Sequence, residues 1–313
     1  MRTLVTGGAG FIGSTLVDAL LALGHEAVVV DDFSSGKEAN LLSARTGSAV
    51  ILTLDIRAAD ELIDAVRAVK PDVIFHLAAH KDVRKSVRNP QFDARTNVEG
   101  TINILEAARA TGARVINVST GGALYGDTDV RPTPEHVTPA PMAPYGLSKY
   151  CAELYVRLYA RLFATRCVTL RLGNVYGPRQ DPLGETGVIA IFCGLAVQGR
   201  RPTVYGTGAQ TRDYVYVEDV VAALVRLLER PGASGEYNIG TGRGTSVLDL
   251  IAALQANAGG DFAPVFAEPR VGEIQNGYLD VRRAARDLAW SARVDLATGL
   301  GRTIEWTRTQ LTT

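Results

Sequence analysis

The stretch Arg2-Thr3-Leu4-Val5-Thr6-Gly7-Gly8-Ala9-Gly10-Phe11-Ile12-Gly13 decides the fold. A short apolar run with strand character meets glycines at 7, 10 and 13, and from Phe11 the apolar residues recur at helical spacing as far as Leu23. A GxxGxxG run alone often marks no more than turns. Between a strand and a helix, its glycines let the backbone turn tightly and approach a pyrophosphate, which rests on the helix N-terminus. Some twenty residues further on, Asp31 closes a second apolar run, with Asp32 beside it. A carboxylate there accepts hydrogen bonds from an adenosine ribose and repels a 2′-phosphate, which favours NAD over NADP. Ser35, Gly36 and Lys37 follow on the same loop and are candidates to touch that ribose or a phosphate.

Outward from this unit, strand-like runs over 2–6, 26–30, 50–54, 73–76, 115–119 and 168–172 alternate with helical patterns over 11–23, 59–69, 97–111 and 144–163. That alternation predicts βαβ crossovers, hence an α/β fold: a doubly wound parallel sheet with helices on both faces. It weakens after Asn174. Gly- and Pro-rich loops at 177–187, 200–208 and 231–244 there separate helical pieces at 188–198, 219–228 and 247–258. The expected organisation is a dinucleotide-binding domain over 1–173 and a smaller, mainly substrate-binding lobe over 174–313, some segments of which return to the first.

Composition bounds the partners. Lys+Arg and Asp+Glu both total 33, and this balance argues against nucleic acid, which is held by clustered positive charge. No stretch approaches the ~20 apolar residues of a membrane span, and the N-terminal apolar run is too short for a signal peptide. The three cysteines show no CxxC spacing, so neither a disulfide framework nor a metal site is expected, and the chain reads as cytoplasmic.

Tyr145 and Lys149 are spaced YxxxK directly after Pro144, a residue suited to the first turn of a helix. At i and i+4 they share a helix face, where an ammonium can pull a phenol pKa down towards working pH. The tyrosine is thereby expected to act as base and acid, with Lys149 and the strand-ending Ser119-Thr120 beside it.

With this pair on the page, the whole chain resembles the extended short-chain dehydrogenases/reductases, specifically their nucleotide-sugar epimerase/dehydratase group. It is most similar to the UDP-glucose 4-epimerase members. The resemblance rests on TGGAGFIG (6–13), DDFSSG (31–36), Asp55-Ile56, HLAA (76–79), Asn97, STGGALYG (119–126), PYGLSK (144–149), RLGNVYGPRQ (171–180), TRDYVYVEDV (211–220), NIGTG (238–242) and the segment from Arg270 to Glu273. It implies a Rossmann fold binding NAD through Gly7, Gly10, Phe11, Ile12, Gly13, Asp31, Asp32, Ser35 and Gly36. Asp55 and Ile56 would flank the adenine, and Leu77, Ala78, Ala79 and Lys81 would line the cofactor's middle. Asn97 and Lys149 would position the nicotinamide end, near Ser119 and Tyr145. It further implies a UDP-sugar substrate held by Thr120, Tyr145, Asn174, Val188, Tyr205, Arg212, Arg270 and Glu273, and a homodimer built on the helices near 97–111 and 144–163. Leu147, Cys151, Leu154 and Leu158 suit either that interface or burial against the sheet.

Departures from the group's patterns sharpen the expectation. Many members carry Ser or Thr four residues before the tyrosine of the YG dipeptide; here that position is Gly121, so Thr120 must supply the hydroxyl. Dehydratases use an Asp-Glu pair where this chain has Gly122 and Ala123, which can do no acid/base work. Asp181, in Gly177-Pro178-Arg179-Gln180-Asp181-Pro182, would repel a sugar carboxylate. The expected activity is UDP-hexose 4-epimerisation through a transient 4-keto sugar. A uronate epimerase, a dehydratase or reductase, and a non-catalytic dinucleotide sensor are the alternatives. Gly277 stands where a bulky gatekeeper restricts some members to glucose and galactose, so N-acetylated sugars are expected to fit as well.

Overall fold

A computed structural model of the chain describes residues 1–182, 187–258, 262–270 and 274–311. Seven parallel strands form the central sheet: β1 (Arg2–Thr6), β2 (Glu26–Asp31), β3 (Val50–Thr53), β4 (Val73–His76), β5 (Arg114–Thr120), β6 (Cys167–Leu172) and β7 (Gly235–Ile239). Their order is β7-β6-β5-β4-β1-β2-β3, all neighbours parallel. The central strands β4 and β6 are buried along their whole length, as a sheet covered on both faces requires. The chain order reverses between β1 and β4, which opens a crevice beyond their carboxyl ends.

One face is covered by the helices Phe11–Ala22 and Val217–Arg226, which pack together over a core containing Leu16, Val17, Leu20 and Val29. On the other face Ala59–Val69, Gly100–Thr111 and Pro144–Phe163 enclose Leu62, Val66, Ile104, Leu105 and Val156. Each core is continuous and apolar, so burial supplies the main driving force for this arrangement.

The structure differs from the expectation in several places, among them the loop expected over 200–208, which holds the strand Thr203–Tyr205. The loop expected over 231–244 contains β7, which pairs with β6 from Gly235 opposite Val168 to Ile239 opposite Leu172. The helix expected from Asn97 starts with a π turn, Arg95–Glu99, and becomes α-helical at Gly100. A Cβ on Gly100 would lie 2.5 Å from Ile56 Cδ1, so the helix can approach the loop after β3 this closely only with glycine there.

Beyond the carboxyl ends of the sheet lies a lobe in which the helices Val188–Val197, Val247–Ala258 and Leu296–Leu311 pack on one another. Short strands line its inner side, with Asn174–Tyr176 beside Tyr214–Tyr216 and Thr203–Tyr205 beside Val265–Ala267. Among the described residues no helix is long and apolar enough to cross a membrane, and no cluster of His, Cys, Asp and Glu could hold a metal.

Candidate active site

The glycine loop is built for backbone contact. Gly7 has φ +69°, and a Cβ there would meet the Ala78 backbone nitrogen at 2.7 Å. A Cβ on Gly13 would stand 2.1 Å from the Gly7 carbonyl oxygen, so the helix can begin this close to the loop only with glycine. Gly10 is the N-cap and offers no side chain to the first-turn N–H groups, and no acidic residue sits in that turn. Those donors suit an anion. The groove in front of them is lined by Gly7, Gly10, Phe11, Ile12, Gly13, Asp31, Asp32, Ser35, Gly36, Asp55, Ile56, Leu77, Ala78, Ala79 and Lys81, all of them candidates from the sequence. Val30, Ser34, Leu54, Thr96 and Val118 also line it and were not anticipated. Their only signal was adjacency to a strand end or a candidate residue.

Asp31 and Asp32 separate clearly. Asp31 is buried, and its carboxylate accepts from the N–H groups of Ala9 and Phe33, both at 2.9 Å. Burial raises its pKa, those two bonds opposing the rise. It ties the glycine loop to the end of β2. Asp32 is exposed and accepts from the Ser34 N–H and hydroxyl. Asp55 holds Arg57 in a two-point ion pair, which keeps its carboxyl below the usual range.

Behind the groove runs a polar chain. Thr6 Oγ1 lies 2.9 Å from His76 Nδ1, His76 Nε2 lies 2.9 Å from Thr101 Oγ1, and the Thr101 hydroxyl donates to the Asn97 carbonyl at 2.7 Å. Burial, with Lys149 nearby, pushes the imidazole of His76 down to about 3, so it is neutral. The Asn97 side chain is spent within the protein. It accepts from the His80 N–H at 2.8 Å and donates to the His80 carbonyl at 2.9 Å and to Asp93 Oδ1 at 3.2 Å. Only its neighbour Thr96 faces the groove.

Tyr145 and Lys149 sit in the first turns of the helix Pro144–Phe163, whose start is pinned where the Tyr145 N–H donates to the buried Ser86 hydroxyl at 3.1 Å. Tyr145 faces a cavity of about 670 Å³ that it shares with Lys81, Asn174, Val188 and His80. Burial pushes its phenol up to about 12, the Asp93 charge adds to the rise, and a hydrogen bond with the Thr120 hydroxyl opposes it. Lys149 is brought down to about 8 by burial, while Glu153 and Asp93 hold its proton on. The expected lowering of the phenol by Lys149 is therefore not seen in the protein by itself. Enclosure is the largest cost to the phenolate, and the Asp93 charge adds to it. The structure does put Thr120 against Tyr145. Ser119 Oγ is buried next door without a hydrogen-bond partner among the described residues.

The substrate candidates gather beyond Tyr145. Asn174, Val188, Tyr205, Arg212 and Arg270 line one further cavity of about 520 Å³, together with Arg84, which the sequence reading had not singled out. The Arg270 guanidinium lies over the Tyr205 ring, 3.8 Å from its centroid. Glu273 lies outside the described residues. A Cβ on Gly121 would stand 2.6 Å from Leu279 Cδ1, and one on Gly122 would stand 2.9 Å from Asn174 Oδ1. A side chain at 121 would thus displace Leu279, and one at 122 would push away a cavity-lining amide. Around Gly277 a Cβ would meet only Ile274, at 3.9 Å. Asp181 reaches Lys37 at 3.3 Å, so its carboxylate is engaged towards the cofactor loop.

Comparison with known proteins places this geometry. Residues 3–240 match the NAD dependent epimerase/dehydratase family. A UDP-glucose 4-epimerase of Mycolicibacterium smegmatis is 46% identical over 310 residues, covering 98% of this chain and 99% of that one. The crystal structure of a UDP-glucose 4-epimerase from Thermotoga maritima with UDP-glucose superposes with a TM-score of 0.96 at 43% identity, over 99% of this chain and 100% of that chain. A Thermus thermophilus UDP-glucose 4-epimerase complexed with NAD gives 0.91 at 37% identity, over 98% and 99%.

Proposed function

The chain belongs to the NAD dependent epimerase/dehydratase family, and from that premise we propose that it is an NAD-dependent UDP-hexose 4-epimerase. The observation that carries this reading is Tyr145, beside Thr120, facing the cavity that joins the glycine-loop groove to the one walled by Tyr205, Arg212 and Arg270.

The groove fits a dinucleotide: a glycine cradle that any Cβ would fill, uncapped helix N–H groups and two carboxylates at the end of β2. The exposed Asp32 takes the adenosine ribose, with Ser35 and Gly36 beside it; Asp31 holds the loop in shape. When bound, NAD supplies a reversible hydride acceptor at the sugar C4. Tyr145 takes the 4-hydroxyl proton and later returns it, Thr120 orients that hydroxyl, and Lys149 supplies positive charge. Arg212 and Arg270 take the diphosphate, for which a planar guanidinium fork is suited, and Tyr205 lies by the uracil. No acid stands at 122 or 123 to expel water, which disfavours a dehydratase. The open space at Gly277 favours acceptance of N-acetylhexoses beside glucose and galactose.

The chain works in the cytoplasm as a homodimer. Leu147 and Leu154 are exposed and Cys151 and Leu158 half-buried, a stripe facing away from the sheet-side residues Ala152, Val156 and Tyr159. Light scattering at micromolar concentration checks this: a monomer mass rejects the dimer.

The test of function is mass spectrometry and NMR of products from UDP-galactose, UDP-N-acetylgalactosamine and UDP-glucuronate, without added NAD. Interconversion at C4 of the neutral sugars is expected, with Tyr145→Phe at least ~100-fold slower. A dehydrated or decarboxylated product, or near-normal turnover by Tyr145→Phe, refutes the reading.

A further inference from the structure

A second titratable couple, His80 and Asp93, is carried partly by the helix Pro90–Ala94, which packs on the helix of Tyr145 and Lys149, and nothing above gives it a task. Asp93 is 0% exposed on the one-turn helix Pro90–Ala94, whose N-cap is already supplied by Asn89. Its Oδ1 faces His80 Nδ1 at 2.8 Å and accepts from Asn97 Nδ2 at 3.2 Å. Its Oδ2 is buried with no hydrogen-bond partner among the described residues. An unsatisfied carboxylate oxygen is costly, and the helix does not require an acid here. The arrangement is nevertheless rigid. The Asn97 amide grips the His80 backbone at both N–H and carbonyl, and the His80 ring packs edge-on against Phe92. His80 also faces the cavity that contains Tyr145.

The charges around the couple come from separate elements. Lys149 and Tyr145 stand on the helix Pro144–Phe163, and both respond to the Asp93 charge. Glu153, one turn beyond Lys149, is bound by Arg171 at 2.6 Å, which ties down the other carboxylate that Lys149 feels. His76, on β4, is neutral. Asp93 is thus a carboxylate near both members of the pair, its Oδ1 engaged by His80 and Asn97 and its Oδ2 without a hydrogen-bond partner among the described residues.

Resting on the acid/base assignment made above, we propose that Asp93, aimed by His80 and Asn97, is a positioning residue that sets the protonation of the Tyr145–Lys149 pair. Its charge keeps Lys149 an ammonium and makes Tyr145 a stronger base once ionised, closer in pKa to the sugar hydroxyl whose proton it exchanges. The arrangement exchanges phenolate population for basicity.

The two effects have one signature. Removing the negative charge lowers the pKa of Lys149 and of Tyr145 alike, so both limbs of the pH–rate profile move down together. Asp93→Asn and Asp93→Ser, two neutral replacements, should each shift the whole bell by about one pH unit, while Asp93→Glu should keep the wild-type limbs. Whichever neutral variant is soluble serves, with melting temperature as the structural control. A second readout needs no substrate: tyrosinate absorbance near 295 nm of the holoenzyme, less that of Tyr145→Phe. The neutral variant should show about tenfold more Tyr145 phenolate at a given pH. A shift in absorbance without any epimerase activity sinks the functional assignment and leaves this inference standing. Activity with unmoved limbs and unmoved absorbance overturns the inference, as does an Asp93→Glu variant that shifts like Asp93→Asn.

Discussion

Replacing Gly7 by alanine tests the cofactor cradle most directly. The backbone at Gly7 has φ +69°, a left-handed conformation that costs an L-residue about 1–2 kcal/mol. The added Cβ would also stand 2.7 Å from the nitrogen and 2.9 Å from the Cα of Ala78. Those are backbone atoms at the end of β4, so no side chain can turn away. Relief requires the loop and the strand end to part, a forced overpacking of about 1–3 kcal/mol. The strain falls where the Gly7 N–H donates to the Val30 carbonyl at 2.8 Å and the Gly7 carbonyl accepts from Gly10 at 3.1 Å, the two bonds that shape the loop. A loop that moves to escape the clash no longer presents its N–H groups to the pyrophosphate, so the cost appears as lost cofactor affinity. About 3 kcal/mol is more than a hundredfold in a dissociation constant. The assay is the molar ratio of dinucleotide released by acid from purified protein, with melting curves at rising NAD concentration. Gly7→Ala is expected to emerge largely free of cofactor. A variant that retains the wild-type ratio and melts within a degree of wild type refutes the account of the loop.

Two further outcomes follow from the catalytic helix. Thr120→Ala removes the hydroxyl beside Tyr145 and should lower kcat by about 10–100-fold with little change in KM, whereas Thr120→Ser should restore most of it; steady-state kinetics on UDP-galactose decide this. Lys149→Met should abolish turnover yet raise stability. The folded pKa of Lys149, about 8, lies below the unfolded 10.5, so burying the ammonium costs the wild type in full below pH 8, and the cost fades between the two values. The variant should therefore be more stable by about 2–3 kcal/mol at pH 7, with the difference closing near pH 10.5, as read by chemical denaturation at both pH values.

Most of the cofactor groove was legible because it depends on local features: a strand, three glycines and a carboxylate at the next strand's end. The six strands seen in the sequence are apolar runs bounded by polar residues and separated by helical spacing. β7 escaped that reading because Gly235-Glu236-Tyr237-Asn238-Ile239 has only two strongly apolar residues and lies among glycines. It becomes a strand through its partner. Asn238 accepts from the Tyr125 hydroxyl at 2.8 Å and donates to the carbonyls of Thr133 and Asp280, bonds that exist only once distant loops converge. The close approach of Ile56 to Gly100, forty-odd residues away in the chain, is likewise invisible to local spacing.

The same distinction explains why the spacing brought the candidate pair together while its electrostatics stayed hidden. Spacing puts Tyr145 and Lys149 on one helix face, and from spacing alone the ammonium should lower the phenol. Depth reverses this. The phenol is enclosed, and losing water penalises its own phenolate form more than any neighbouring charge does, so its pKa rises. The carboxylate that then tips the balance lies thirteen residues from the histidine that holds it, on a separate helix turn, with no motif to announce it. A residue's type and register determine which groups can meet, whereas the water and charge left around them determine which proton each one keeps. Here that second quantity is contributed by Asp93, Glu153 and Thr120 from three different elements, so it becomes defined only in the folded chain.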